Sequence, residues 1–156
     1  SVLIHFMRIG KLEILKNFFK KIIVPNGIAE EIKKGTLGAA EFQQACKSWI
    51  CIINPLKKEE VMKLSKSEEV GVADASVIIL AREKKKIILA NDAALIAIAK
   101  SYGIETWWPT SFLIESLKKK KITKEEAKKV LFNLVGSGMH LRNDVYAAIL
   151  NEIERI

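Results

Sequence analysis

VGVADASVIILAREKKKIILANDAALIAI, residues 70–98, decides the fold class, because a helix pattern, a strand pattern and a second helix pattern follow one another directly. Behind Asp74, the residues Val77, Ile78, Leu80 and Ala81 recur at three- and four-residue spacing, as a helix with one buried face requires. Lysines 84–86 end that pattern. Residues 87–90, IILA, have the length and apolarity of a buried strand, Asn91-Asp92 follows, and helical spacing restarts over 93–99. A strand that ends in Asp92 and feeds a helix sets the carboxylate at the carboxyl edge of a parallel sheet, where open α/β folds keep their sites. The preceding helix runs antiparallel to that strand, so Asp74 at its start is expected on the same edge, and the two acids close one pocket. A structural role is open to both, since an Asp at a helix start caps free backbone N–H groups and Asn-Asp after a strand is ordinary turn chemistry.

Toward the amino terminus, residues 57–64 read as a helix, 50–53 as a strand stopped by Pro55, and 38–49 as a helix. Residues 28–34 form a short helix stopped by Gly35, with Glu30-Glu31 in its first turns, where the helix dipole tolerates negative charge. Pro25-Asn26-Gly27 reads as a turn after the apolar segment 22–24. Leu12, Leu15, Phe18 and Phe19 share one face of a helix over 11–21, and the apolar residues 2–6 are expected to be a strand. Toward the carboxyl terminus, Gly103 ends a helix, 104–107 is a strand, and 110–117 a helix. Thr123 with Glu126 makes a capping box for a helix that buries Ala127, Val130, Leu131 and Leu134. After the break at Gly136-Ser137-Gly138, Asn143 or Asp144 caps a last helix carrying Val145, Ile149, Leu150 and Ile153. Strands alternating with helices imply the α/β class, with a mostly parallel sheet covered on both faces. One domain over 1–156 is expected, with an α/β core at 1–108 and added helices at 109–156.

At 156 residues, 49% hydrophobic and 28% charged, the chain suits a single domain with a full core. A net charge of +8 and a pI near 9.5 favour polyanionic partners. Its apolar runs are far shorter than the roughly 20 residues of a membrane span, and residues 1–6 lack the pattern of a signal peptide, so a cytoplasmic protein without a membrane partner is expected. Cys46 and Cys51 have no Cys/His cluster around them and are expected to be buried thiols. His5 and His140 lack partner spacing, Ser65, Ser67 and Ser76 lack a G-x-S-x-G setting, and residues 35–38 lack the lysine of a phosphate-binding loop. Trp107-Trp108 has the chemistry to stack on bases, but a core position is expected for one of the pair.

In this order and spacing, the residues resemble the PIN domain family over nearly the whole chain, particularly its archaeal and bacterial members related to the toxin nucleases of toxin–antitoxin pairs. VPNGIAEEI resembles the family's stretch with a characteristic Glu. VADASVIILA resembles the helix start with its third acid, and IILANDAALIAIAKSYGI the strand-to-helix segment with its fourth. The opening SVLIHFMRIGKLEIL resembles the segment after the family's first strand, and the tail from Pro109 resembles the subgroup with added carboxyl-terminal helices. The resemblance implies a three-layer α/β/α sandwich and a metal site built from Glu31, Asp74 and Asp92, with Ser1 and Asn91 as polar supports and Glu30 as the alternative to Glu31. It also places an Asp two residues before Ser1, so that apolar residues followed by Asp-Ser or Asp-Thr are expected upstream.

Hard divalent cations such as Mg²⁺ or Mn²⁺ prefer oxygen ligands, and clustered carboxylates stay ionised together only with cations among them. The resemblance therefore implies a metal-dependent ribonuclease that leaves 3′-hydroxyl and 5′-phosphate ends, with RNA as substrate. It further implies an antitoxin protein as a partner if the chain is a toxin, and it allows a homo-oligomer. A noncatalytic scaffold that binds RNA or a protein is the alternative. Lysines 84–86 and 118–121 are the candidates for an RNA-binding surface beside the acids.

Overall fold

Val2, Leu3, Phe6 and Met7 are buried along one helical face, so the first apolar run is helix α1, Val2–Arg8, in the computed structural model, which describes residues 2–35 and 37–156. The strand expected over 2–6 is thereby corrected. A run this short satisfies either period. The surroundings choose the helix: Phe6 meets Phe112 edge to face, with ring centroids 5.7 Å apart. Ser1, proposed as a polar support, lies outside the described residues.

Helix α2, Leu12–Phe19, leads into strand β1, Ile22–Val24, and then into α3, Asn26–Lys34. The turn expected at Pro25-Asn26-Gly27 is instead the start of α3. Pro25 is its N-cap, and its carbonyl accepts from the N–H groups of Ile28 and Ala29, both at 3.1 Å. Helix α4, Ala39–Cys46, connects to β2, Ile50–Ile52, which pairs parallel with β1 in the register Ile22↔Ile50, Ile23↔Cys51 and Val24↔Ile52. Next come α5, Lys58–Ser67, and α6, Val72–Lys84. Strand β3, Ile88–Leu89, helix α7, Ala93–Ser101, and strand β4, Thr106–Trp107, make a second parallel pair in the register Ile88↔Thr106 and Leu89↔Trp107. The class is therefore mixed α/β, mostly helical, with short parallel strands joined by helical crossovers. Among the described residues these strands form two separate two-stranded sheets.

Helices α8, Pro109–Lys118, α9, Lys124–Gly136, and α10, Asn143–Arg155, complete the chain. The expected cap of α9 forms, with the Thr123 hydroxyl accepting from the Glu126 N–H at 3.1 Å. At α10 the expectation fails: Arg142 is the N-cap, and the Asp144 carboxylate accepts from its guanidinium at Nε (3.0 Å) and Nη2 (2.6 Å). A bidentate, charge-assisted pair has displaced the capping bond.

Two apolar clusters hold these elements. The larger gathers α1 to α4, β1, β2 and α8 to α10 around Phe6, Leu15, Phe42, Phe112 and Leu131. The smaller packs α5, α6, β3 and α7 through Leu64, Ile78, Ile79 and Ile96. Within it, the Glu83 carboxylate accepts from the N–H groups of Leu56 (3.0 Å) and Lys57 (2.9 Å), so α6 caps the start of α5. Burial pushes that carboxyl up, but the two N–H donors and nearby lysines outweigh it and hold it below the usual glutamate range. Cys46 and Cys51 are free thiols, half-buried rather than fully buried. Among the described residues, no helix is long and apolar enough to cross a membrane.

Candidate functional site

The site lies where the two clusters adjoin, and a glycine sets its spacing. A Cβ added at Gly27, in the first turn of α3, would stand 3.0 Å from the Cβ and 3.3 Å from the Cα of Ala73 in α6. A side chain there would be tighter than most Cβ contacts and would push α6 back by a few tenths of an ångström, so glycine favours the close approach of α3 to α6. Glu31 follows Gly27 by one helical turn on the same stripe, and Asp74 follows Ala73. The contact thus carries Glu31 toward Asp74. The start of α3 is held in turn by Asn54, just past β2, whose side-chain oxygen accepts from the Asn26 N–H at 2.8 Å. Gly27 and Asn54 are contributors that sequence reasoning missed. The only signal for Gly27 was a small residue one turn before the acid, and it reads equally well as turn chemistry.

Asp92 ends the β3 segment and is the N-cap of α7, where one carboxylate oxygen accepts from the Leu95 N–H at 2.9 Å. Asn91, half-buried, precedes it. Asp74 is different. It sits in the first turn of α6 behind the N-cap Gly71, and no side-chain bond caps that helix. The helix dipole by itself would lower its proton affinity. Instead the carboxyl is held above the usual aspartate range, first by burial and then by the charges of Asp92 and Glu31. Three acids from α3, α6 and the start of α7 therefore share one electrostatic neighbourhood.

None of these three has an ion-pair partner among the described residues, although the chain carries a net charge of +8. Glu30, the neighbour of Glu31, pairs with Lys33 at 3.6 Å, which separates its role from that of Glu31. Such a donor set fits a hard divalent cation, because oxygen ligands and uncompensated negative charge are what these ions select. Among the described residues, no three His, Cys, Asp or Glu side chains converge closely enough to enclose a single ion.

Other candidates lie elsewhere. His5 is half-buried in α1 and bonds through Nδ1 to the Ser137 hydroxyl at 2.9 Å, while that hydroxyl donates to the Leu134 carbonyl at 2.7 Å. It ties α1 to the end of α9. Trp107 packs against Phe18 and Phe19, with centroids 5.9 and 6.3 Å away, and its Nε1 donates to Glu105. By the rise of an α-helix, Lys84 lies about 15 Å along α6 from Asp74, and Lys118 about 13.5 Å along α8 from its start after β4.

Gly27→Val tests how the acids are positioned. Its Cβ and branches meet Ala73, so α3 and α6 must separate, and thermal melts should show a loss of about 1–3 kcal/mol, the usual cost of overpacking. The stabilisation produced by added Mn²⁺ should shrink as well, because Glu31 moves with its helix. A variant that melts as the parent does, with the same response to metal, would show that the close approach has no part in the site.

A family model described as PIN domain matches residues 1–155. No curated protein and no solved structure matches the chain.

Proposed function

The chain belongs to the PIN domain family, and from that premise we propose that it is a metal-dependent ribonuclease that hydrolyses RNA phosphodiester bonds, on a three-layer α/β/α arrangement. Members of this family are commonly nucleases. The observation that carries the proposal is the proton affinity of Asp74, raised by its burial and by Asp92 and Glu31, in a trio with no cationic partner among the described residues. Glu31, Asp74 and Asp92 hold Mg²⁺ or Mn²⁺, with Asn91 as a polar support. The bound cation supplies Lewis-acid polarisation of the scissile phosphate and an acidified water. Asp92 keeps one oxygen on the Leu95 N–H, which fixes its orientation and leaves the other for the site. Asp74 would have to be ionised to hold the cation, so metal affinity should rise with pH. In the cell this activity suits a cytoplasmic toxin whose antitoxin covers the site.

Asp92→Asn is the direct test. An amide oxygen still caps α7, so the metal-free melting temperature should be unchanged or slightly higher. RNA cleavage in Mn²⁺ should fall by about 10²–10³-fold, the usual cost of deleting one preorganised electrostatic partner. Asp92→Ala adds the loss of the cap, about 0.5–2 kcal/mol. Undiminished cleavage by Asp92→Asn would reject the assignment. The second reading, a noncatalytic scaffold that binds RNA or a protein, draws on the spread of the three acids. It predicts that the parent leaves RNA intact in Mg²⁺ and in Mn²⁺.

A further inference from the structure

We infer that the cleft at the α8–α9 corner is a second anion site, one that holds phosphates of single-stranded RNA away from the three acids. The inference takes the identity of the polyanion from the ribonuclease reading, and everything else from the cleft. About 610 Å³ in volume, it is lined by Lys118, Lys120, Lys121 and Lys124 together with Leu117 and Ile122. The acid in its wall, Glu126, is engaged by Lys11 at 3.7 Å. Lys124 donates to the backbone carbonyl of Glu154 at 2.8 Å and so consumes no carboxylate. Lys118 has only Glu115, at 3.5 Å. Lys120 and Lys121 have no ion-pair or side-chain hydrogen-bond partner among the described residues. Four like charges around one concave surface repel each other until an anion enters, and a concave basic surface concentrates the field.

Lys120 also sits at φ +54, in the left-handed region that strains a residue with a side chain and costs glycine little. A cation is thus kept at the rim of the cleft in a conformation that disfavours it. Lys119 points elsewhere, with its Nζ 4.8 Å from the centre of the Phe18 ring. Because the cleft lies at the far end of α8 from β4, an RNA strand that occupies both places must run on past the scissile bond. The cleft therefore holds the flank of the substrate, and binding should depend on length.

The test is fluorescence anisotropy of a labelled oligouridine of about 20 nucleotides across a salt series, without divalent metal, for the parent and for Lys120→Gly with Lys121→Ser. Removing two phosphate contacts should weaken binding several-fold at low salt and make the slope of log K against log salt shallower by about 1.4. Lys120→Gly relaxes the backbone, so a melting temperature equal to or above the parent's excludes unfolding as the cause. Unchanged affinity and slope in the variant would overturn the inference, as would failure of the parent to bind. Polyglutamate that binds the parent more tightly than the RNA, with the same loss in the variant, would overturn it in favour of an acidic protein partner. Lysine-dependent RNA binding by a parent that cleaves nothing would support the cleft and reject the ribonuclease reading alone.

Discussion

Asp74→Asn is expected to raise the melting temperature of the metal-free protein at neutral pH and to remove most of its response to Mn²⁺. The native state holds the Asp74 proton more tightly than the unfolded chain does, because burial and the charges of Asp92 and Glu31 oppose ionisation. For a carboxyl raised above its ordinary value of 3.8, the favourable contribution is fully present below that value and disappears as pH rises through the folded one. The metal-free parent loses it over that rise in pH, whereas the uncharged Asn avoids the repulsion altogether. The gain is small, since the carboxyl is only part-buried and solvent screens it. Melts of the two proteins across a range from about pH 4 to 8 should diverge as pH rises.

The metal response is the larger effect. At a Mn²⁺ concentration about 100 times the parent's Kd, mass action stabilises the native state by ~2.7 kcal/mol, or about 5–11 °C for a chain of this size. Losing a ligand weakens affinity by at least the ~10–100-fold seen for outer-shell partners. The same Mn²⁺ concentration then stabilises the variant by only ~0.4–1.4 kcal/mol. RNA cleavage should fall with it, by about 10²–10³-fold. Equal metal-induced shifts in parent and variant would remove Asp74 from the site.

The largest loss of stability is expected from Phe112→Ala. Phe112 is fully buried, and its ring centroid lies 5.7 Å from that of Phe6, 5.3 Å from Phe18 and 5.4 Å from Phe19. It joins α1, α2 and α8 in the larger core, so deleting the ring leaves a cavity bordered by three aromatic neighbours that cannot all collapse into it. The cost should be ~3–5 kcal/mol, a large share of the ~5–15 kcal/mol that holds such a domain together. That is a drop of roughly 6–20 °C in melting temperature. Phe132 is the control: it is 69% exposed on α9, and Phe132→Ala should stay within about 0.5 kcal/mol of the parent. Similar losses in both variants would show that the core is not organised around Phe112.

For Asp92 the expected cap forms, and the same side chain acts on Asp74. Its carboxylate accepts from the Leu95 N–H and also raises the proton affinity of Asp74. A helix N-terminus positions an acid rigidly, and the same acid still acts through its charge on a neighbouring one.

Local pattern was enough for most elements because their signals are local. The faces of α2, α6 and α9, the strands within 50–53 and 87–90, and the Thr123 cap all follow from spacing within one or two turns. Asp74 and Asp92 were legible as a pair for a related reason, since each stands at or near the start of a helical pattern, whereas Glu31 lies in the middle of α3 and only the family resemblance singled it out. The state of residues 2–6 was not legible, since a five-residue apolar run has no unique period and only packing against Phe112 selects the helix. Nor was the cap of α10, which depended on whether the Asp144 carboxylate bonded to the backbone or to the guanidinium of Arg142. Tertiary structure alone decided that Gly27 meets Ala73, and that the charge of Glu31 reaches Asp74 while Glu30 pairs with Lys33. Each depends on how close two helices come and which faces they turn to each other, and helical spacing along one segment carries no information about the distance to the next.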